Sequence, residues 1–433
     1  MDYFFLHKGI RLSACNAIGL FLSGCIAWLL ILSTSVPARA ASIEVTALFK
    51  PDPANPMRNE FTNTTPYSGH CAAYPVFCDQ LSIFSILVPI EFNSIAPIEA
   101  GHSDRRKGAM FNPPTDWRPL QVVHETSGAR STLEVRIASI GARYHLPDTV
   151  QNIIGEGAPA NNSLAHEMLW SGYNWTFPPS PCAYTGGMYV EPTWRSFFWL
   201  TRPGSVCAPK AAYRIESLRY NALQIGYELR TPDPLKMETG RYVGTYTYGV
   251  GPGRDFDMGD IMLPSDDSLS INFILDVQHT LKVDIPPGGE KVRLTPAGGW
   301  QSWLHAGRNP VSLFRDQTFH ISASSRFKMY VECESWATLE CVIEDAIGRR
   351  PVELQISVSL PNGLTDQAGQ PVKRRRLRAG PTGAQIFQPG FYVDRAPGVL
   401  HFEVPKEEVE WMLSEKVQSP YSGSVTVIWD SEV

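Results

Sequence analysis

Apolar and polar residues alternate along several stretches of this chain, as they do in β-strands that bury one face. The longest stretch covers 271–285, where every odd-numbered position is apolar except His279. At about 3.3 Å per residue, a strand of that length would reach roughly 50 Å, beyond the usual range. We therefore expect an elongated sheet or a strand that bends partway. Because His279 falls on the apolar face, we interpret it as a hydrogen-bonded core histidine.

Two further stretches alternate in the same way. One covers 352–360, and the other lies at the end of the sequence, where Val425, Val427 and Trp429 share one face. Turn-prone Pro420 and Gly423 precede this last strand, and no residues follow it that could fold back as a hairpin. Such a strand either lies inside a sheet already or pairs with a segment of another chain.

Helical periodicity is almost absent, and short strands separated by turns predict an all-β fold built from sandwiches. The sequence Pro286-Pro287-Gly288-Gly289 is the strongest candidate for a domain boundary. It divides a large part, 41–287, from a compact part, 288–433. In the compact part we expect a single short helix, over 405–415, with Pro405 in its first turn.

The first forty residues predict a signal for export. Lys8 and Arg11 are followed by an apolar stretch over 17–36, and Ala38-Arg39-Ala40 has the form of a cleavage site. We expect cleavage after Ala40. Two alternatives stay open: a lipoprotein box that would place a lipid on Cys25, and an uncleaved anchor, because the apolar stretch approaches the roughly 20 residues of a membrane span.

Charge disfavours a nucleic-acid partner. The full chain has a net charge of −5, and the predicted signal takes away Asp2, Lys8, Arg11 and Arg39. Because the signal contains three positive charges and one negative, the mature chain has a net charge of −7. Nucleic-acid binding proteins usually carry a basic surface.

Six cysteines remain after the signal is removed, and they indicate an oxidised, exported protein. Six cysteines allow fifteen connectivities. Because the cysteines fall into three neighbouring pairs along the chain, we expect the disulfides Cys71–Cys78, Cys182–Cys207 and Cys333–Cys341. The rival interpretation is a zinc site. It is disfavoured because no pair has the C-x2-4-C spacing or a matching pair of histidines, so we expect no metal.

The sequence contains no catalytic motif of the common kinds, so we expect a protein that is not an enzyme and needs no cofactor. Three aspartates, Asp255, Asp257 and Asp260, could be calcium ligands, although a glycine-rich turn explains them more simply. The basic run Lys373–Arg378 could contact acidic surfaces or sialylated glycans, although an ordinary solvated loop explains it more simply.

An aromatic cluster between Trp170 and Trp199 is the best candidate for a binding surface. Aromatic side chains beside an arginine suit sugar rings and protein surfaces, because they offer a large contact area at small entropic cost. An ordinary hydrophobic core is the competing interpretation. The members that we expect to be exposed and to contact a receptor are Trp170, Tyr173, Trp175, Tyr184 and Trp194, with Arg195.

Taken together, these features resemble a chaperone–usher fimbrial tip adhesin. The specific similarities are TPAGGWQSWLHAGRNP at 295–310, FKMYVEC at 327–333 and YSGSVTVIWDSEV at 421–433. They are similar to the two-domain minor subunits of the colonisation-factor and common-pilus kind. Pro420 and Glu432 stand where type 1 pilins have a glycine and a penultimate tyrosine, which favours an alternative-chaperone branch.

The resemblance implies two immunoglobulin-like β-sandwich domains, a receptor-binding domain over 41–287 and a pilin domain over 288–433 that lacks its final strand. A strand of a periplasmic chaperone would fill the gap first. The N-terminal extension of an adjacent pilin subunit would replace it at the outer-membrane usher. Val425, Val427 and Trp429 would line the groove, and the Val433 carboxylate would be an anchor for the chaperone.

The same resemblance implies a bacterial protein exported through the periplasm to the fimbrium tip, where it binds a host glycan or surface protein. Residues 42–49 also alternate, and they are either the first strand of the adhesin domain, as in a tip cap, or a donor strand for a further subunit. Two other functions remain: a structural minor pilin that initiates assembly without a receptor, and a secreted glycan hydrolase. The hydrolase is disfavoured because no carboxylate pair stands out.

Overall fold

The structure is a computed structural model that describes residues 41–171, 175–306, 310–345, 347, 350–414 and 420–431. The predicted export signal, Tyr173 and Val433 therefore lie outside the described residues. The described chain is mostly β-structure, which confirms the predicted all-β fold class.

The first part of the chain forms one sheet of thirteen strands. In chain order they are β1 (Ala41–Phe49), β2 (Thr62–Asn63), β3 (Ile86–Leu87), β4 (Phe92–Ser94), β5 (Arg118–His124), β6 (Arg130–His145), β7 (Ala183–Tyr184), β8 (Val190–Glu191), β9 (Trp194–Leu200), β10 (Arg219–Arg230), β11 (Gly240–Gly249), β12 (Met262–Pro264) and β13 (Ser268–Val277). The main path through it is β12-β4-β10-β6-β5-β11-β13-β1-β2, with β9 added beside β6. The sheet curls around a single hydrophobic core.

The second part of the chain forms two further sheets. Their strands are β14 (Leu281–Asp284), β15 (Leu313–Ala323), β16 (Phe327–Cys333), β17 (Ser335–Ala337), β18 (Glu340–Asp345), β19 (Val352–Ser359), β20 (Leu364–Asp366), β21 (Arg375–Arg376), β22 (Gln385–Pro389), β23 (Val393–Val404), β24 (Tyr421–Ser422) and β25 (Val425–Ser431). One sheet has the order β14-β15-β23-β19-β18-β17, and the other has the order β20-β22-β16-β25. A separate core lies between them.

The described residues form six α-helices: α1 (His70–Ala73), α2 (Pro75–Leu81), α3 (Val150–Ile154), α4 (Asn162–Leu169), α5 (Gly299–Ala306) and α6 (Lys406–Met412). The expected helix after Pro405 is confirmed as α6, with Val409 buried. The expectation of a single helix in the second part is wrong, because α5 forms as well. Among the described residues, no helix is long and apolar enough to cross a membrane.

The long alternation over 271–285 is divided between the two parts of the chain. β13 ends at Val277 in the first sheet, and β14 begins at Leu281 in the second. His279 lies at the break, where one ring nitrogen is 2.9 Å from the Met237 carbonyl oxygen and the other is 3.1 Å from the Ser324 hydroxyl. The prediction of a hydrogen-bonded histidine is confirmed, whereas the expectation of one long strand is wrong, because two strands in different sheets take its place.

β1 is an integral strand of the first sheet. It runs parallel to β13 in unbroken register from Ala41 opposite Leu269 to Phe49 opposite Val277. The side chains of Val45, Ala47 and Phe49 are buried in the core. Of the two roles expected for residues 42–49, the structure favours a first strand of the N-terminal domain.

The three predicted disulfides, Cys71–Cys78, Cys182–Cys207 and Cys333–Cys341, are all present. The first joins α1 to α2, and the second holds the start of β7 to the segment after β9. The third connects β16 to β18. Each therefore fixes a segment whose own secondary structure is short.

Candidate functional site

The terminal strand β25 lies at the edge of its sheet. It pairs antiparallel with β16, with Val427 opposite Val331 and Trp429 opposite Met329. β16 is itself covered on its other side by β22. Among the described residues, β25 has a strand partner on this one side only. One row of its backbone N–H and C=O groups therefore faces away from the sheet, which is the usual property of an edge strand.

The inward face of β25 is apolar but incompletely covered. Val425, Val427 and Trp429 pack against the second core and keep part of their surface exposed. On the neighbouring strand, Met329 and Val331 are almost completely buried. The apolar side chains of β25 are therefore less completely buried than those of β16.

Trp429 connects this edge to the opposite sheet. Its ring lies 5.6 Å, centroid to centroid, from that of Phe319 on β15. The other neighbour of β15 is the edge strand β14, whose Leu281 and Val283 are also only partly buried. Two strands that each lack an outer partner among the described residues thus border the same side of the core. We call the apolar strip between them, lined by Leu281, Val283, Val425, Val427 and Trp429, the β14–β25 cleft.

The Trp429 indole adds a polar group to the cleft. Its Nε1 atom is buried and has no hydrogen-bond partner among the described residues. A buried donor without a partner costs about 1–3 kcal/mol, so a carbonyl oxygen brought into the cleft would be favoured.

The predicted aromatic binding cluster is mostly a core. Trp170 is 0% exposed and Trp175 is 1% exposed, so the expectation that they are exposed is wrong. Trp175 packs against four other rings at centroid distances of 4.5–5.2 Å: Tyr144, Trp170, Phe197 and Trp199. Burying such large apolar rings together stabilises the folded state more than exposing them to water would, which explains their position.

Arg195 is also buried, at 1% exposure, so the expectation that it contacts a receptor at the surface is wrong. It lies on β9, on the face that turns toward the core, and its Nη2 donates to the Met188 sulfur at 3.0 Å and to the Thr176 hydroxyl. Burial lowers the pKa of its guanidinium, because a low-dielectric environment disfavours the charged form.

The remaining members of the predicted cluster lie closer to the surface. Trp194 is half-buried, with the Arg143 guanidinium 5.0 Å from its ring centroid. Tyr184 is 44% exposed and packs against Phe177, which is 61% exposed, at 5.1 Å between centroids. Of the predicted receptor-binding residues that the structure describes, Tyr184 is the one at a clearly exposed position.

Sequence reasoning missed Tyr74 and Phe77, which lie beside the segment that carries Tyr184 and Tyr189. Tyr189 lies 5.7 Å from Tyr74, and Tyr74 lies 6.2 Å from Phe77, measured between ring centroids. Close approach of Gly186 to Phe77 and of Gly187 to Tyr74 brings the two segments together. We call the set Tyr74, Phe77, Phe177, Tyr184 and Tyr189 the aromatic patch.

Both segments of the aromatic patch are held by disulfides. Phe77 and Tyr74 lie between Cys71 and Cys78, and Tyr184 follows Cys182. The sequence Tyr74-Pro75-Val76-Phe77-Cys78 could have indicated this patch, because its large apolar residues fall in a disulfide-closed segment too short to bury them. Exposed apolar groups in a rigid loop are typical of interaction surfaces.

The charged motifs form internal ion pairs. Arg106 bridges Asp257 and Asp260 at 2.8 and 2.7 Å, and Asp255 accepts the Gly249 N–H at 2.8 Å. The three aspartates thus support a turn, which is the simpler of the two interpretations. In the basic run, Arg374, Arg375, Arg376 and Arg378 each pair with a carboxylate of a nearby strand or loop.

Of three comparisons with known proteins, only the comparison with solved structures found matches. No family model matches the chain, and no curated protein matches it. The chain is similar to CfaE, the adhesive subunit of CFA/I fimbria of enterotoxigenic Escherichia coli, at 10% identity over 91% of this chain and 98% of that one, with a TM-score of 0.22. For a mutant of CfaE, the identity is 10%, the coverage 91% and 93%, and the TM-score 0.26.

A further similar structure is the chaperone–tip adhesion subunit pre-assembly complex CsuC–CsuE from the archaic Csu pili of Acinetobacter baumannii. The identity is 7%, the match covers 90% of this chain and 99% of that one, and the TM-score is 0.21. TM-scores of this size do not define a shared fold, so the functional assignment rests on the chain's own residues.

Proposed function

We propose that this chain is a two-domain fimbrial tip adhesin of a chaperone–usher system. In this proposal, the first part of the chain, predicted over 41–287, binds a receptor. The second part, whose sheets begin with β14 at Leu281, joins the pilus by accepting a strand from another polypeptide. The single observation that carries the proposal is the β14–β25 cleft. It combines an apolar strip, two strand edges without an outer partner among the described residues and an unpaired indole N–H on one side of a sandwich.

The cleft has the requirements of strand addition. An incoming strand would pair its backbone with the free edge of β25 and place alternate apolar side chains against Val427 and Trp429. Because an exposed edge of this kind favours aggregation, it has to be protected until assembly. A periplasmic chaperone would supply the first strand, and an adjacent pilin subunit would replace it at the outer-membrane usher.

The position of β1 supports a place at the tip. An N-terminal donor strand has to be free to enter another subunit, whereas the side chains of Val45, Ala47 and Phe49 are part of this chain's own core. Withdrawing β1 would expose that core and the full length of β13. The subunit would therefore accept a strand without donating one.

The aromatic patch supports a receptor-binding role rather than a purely structural one. Exposed tyrosine and phenylalanine rings on disulfide-held loops offer contact area at little entropic cost. The receptor would be a host glycan or a surface protein. The three disulfides fit export through an oxidising periplasm to the cell surface.

A pair of substitutions on one strand tests the assembly role. Val427→Asp places a charge in the β14–β25 cleft, and Thr426→Asp places the same charge on the outward face one residue away. We expect Val427→Asp to abolish co-purification with the periplasmic chaperone, because burying an unpaired carboxylate against the incoming strand is costly. Thr426→Asp is expected to co-purify normally. Equal recovery of chaperone by both variants would contradict strand addition at this cleft.

A further inference from the structure

The N-terminal part contains a groove of about 1080 Å³ whose lining includes no residue of the aromatic patch. One wall is the segment 58–63, which includes β2, and the other is 227–234, at the end of β10. Phe84 and Trp117 close its sides. We call it the β2–β10 groove.

The two walls are joined before any ligand enters. The Tyr227 hydroxyl accepts a hydrogen bond from Asn63 Nδ2 at 2.8 Å and donates one to the Thr65 hydroxyl at 2.9 Å. The ring of Tyr227 is stacked on that of Phe84 at 6.2 Å. A groove fixed in this way loses little conformational entropy when it binds.

Trp117 is fixed as well. The Arg230 guanidinium lies 4.0 Å from its ring centroid, and the Arg136 guanidinium lies 5.3 Å away. Arg136 is tied in turn to Glu228 at 2.7 Å. Stacking on the indole and a 3.4 Å contact of its Nη1 with the Glu134 carboxylate hold the Arg230 guanidinium in the groove lining, where its other N–H groups can donate to a ligand.

One polar atom of the groove has no partner among the described residues. The side-chain oxygen of Asn59 is buried without a hydrogen bond, whereas its amide nitrogen lies 3.4 Å from the Met57 carbonyl oxygen. An unsatisfied acceptor favours a ligand that brings a hydroxyl or amide hydrogen. This atom points to a ligand independently of the shape of the groove.

Charge narrows the class of ligand. The charged groups around the groove nearly balance, with two arginines against three carboxylates: Arg58, Arg230, Glu60, Glu228 and Asp233. Such a lining does not attract a polyanion. Between these groups lie aromatic rings and short hydroxyl side chains, among them Phe61, Thr62 and Thr231. Sugars match this mixture, because each ring offers C–H faces to aromatic groups and hydroxyls that donate and accept.

We propose that the β2–β10 groove binds a neutral oligosaccharide, with Asn59 accepting a sugar hydroxyl and the aromatic walls packing on the sugar faces. This inference rests on the receptor-binding role proposed above and deepens it by naming a second contact site and a ligand class. A peptide could also supply a donor to Asn59, but the groove is lined by scattered polar groups rather than by an apolar pocket for side chains.

The test uses the full exported chain on a panel of neutral and sialylated oligosaccharides, with hydrogen exchange measured in the presence of the best neutral binder. We expect protection over 58–63 and 227–234. Asn59→Ala should weaken binding about tenfold, as expected for the loss of one buried hydrogen bond. The matched control is Asn55→Ala, in the same loop but outside the groove, where Asn55 bonds to Asp52 on the surface. It should bind normally.

Other results overturn the inference in distinguishable ways. One contradicting result is protection confined to 74–77 and 183–189, with binding lost in a Tyr184→Ala and Tyr189→Ala double variant. It would place the sugar on the aromatic patch instead of in the groove and would leave the adhesin proposal intact. Binding of a peptide in the groove would show that the groove takes a peptide rather than a neutral oligosaccharide. Absence of binding to any neutral oligosaccharide would overturn the groove proposal, while co-purification with the chaperone would still report on the adhesin assignment.

Discussion

His166 shows how a single buried side chain can make the stability of the fold depend on pH. It is completely buried, with Nδ1 2.6 Å from the Tyr144 hydroxyl and Nε2 2.8 Å from the Glu191 carbonyl oxygen. A neutral ring with its proton on Nε2 satisfies both contacts. Burial lowers the pKa of His166 to about 4, from an ordinary value of 6.5.

This lowered pKa predicts a loss of stability in acid. The folded chain favours the neutral ring, so the contribution of His166 is complete above pH 6.5 and is lost as the pH falls toward 4. The loss amounts to up to about 3 kcal/mol. Urea unfolding at pH 7 and pH 4 should show a smaller pH dependence for His166→Gln than for the parent chain. The exposed His305→Gln should leave the dependence unchanged, and an unchanged dependence in His166→Gln would contradict the assignment.

Aromatic residues of the same sequence stretch have opposite roles. Trp175 lies among five aromatic rings of the core, whereas Tyr184 is 44% exposed on the aromatic patch. Trp175→Ala should lower the free energy of unfolding by about 3–5 kcal/mol, because it leaves a cavity. Tyr184→Ala should change it by less than about 0.5 kcal/mol and reduce receptor adhesion. Chemical denaturation and cell adhesion distinguish these outcomes, and similar destabilisation by both variants would contradict the placement of Tyr184.

The residue scale also limits what sequence can predict. Composition identified an aromatic cluster between Trp170 and Trp199, but the exposure of each ring depends on contacts with distant residues such as Tyr144 and Phe111. Tyr144 lies on β6, and Phe111 lies in a segment bridged to Cys207, so no pattern within 170–199 reveals those contacts. Phe77 and Tyr74 were overlooked because they join the patch through Gly186 and Gly187, more than a hundred residues away.

At the scale of elements, alternation located strands well and their ends poorly. The period over 271–285 continues smoothly through His279, although the sheet changes there, because both sides of the break bury the same parity of positions. Helix α4 was missed because it is short. It is nevertheless capped in the usual way, with the Asn161 side chain accepting the Leu164 N–H at 3.1 Å.

Disulfide pairing was predictable at this scale, since each pair closes a short loop. The Cys182–Cys207 bond spans 25 residues and holds the segment that contains Tyr184 and Tyr189. Replacing both cysteines by serine should lower the free energy of unfolding by about 3 kcal/mol in the chain-entropy model. It should also increase hydrogen exchange over 183–190. Unchanged stability and exchange would show that the aromatic patch does not depend on this bond.

At the scale of the whole molecule, two hydrophobic cores differ in completeness. The first is enclosed by a curled sheet to which the chain contributes its own β1, whereas the second ends at the β14–β25 cleft. Alternation in the last strand predicted two alternatives, a place inside a sheet or pairing with a segment of another chain. Sequence alone did not show that β16 would supply one side and leave the other edge open.

The central claim is that this open edge is completed by a strand from another polypeptide. The most direct measurement is hydrogen exchange of the amides over 425–431, in the full chain alone and in complex with its periplasmic chaperone. If another polypeptide completes this edge, the β25 amides that face away from β16 should exchange rapidly in the free chain and become protected in the complex. Strand addition at this edge would be contradicted if these outward-facing amides were already protected in the free chain. It would also be contradicted if they exchanged equally with and without the chaperone.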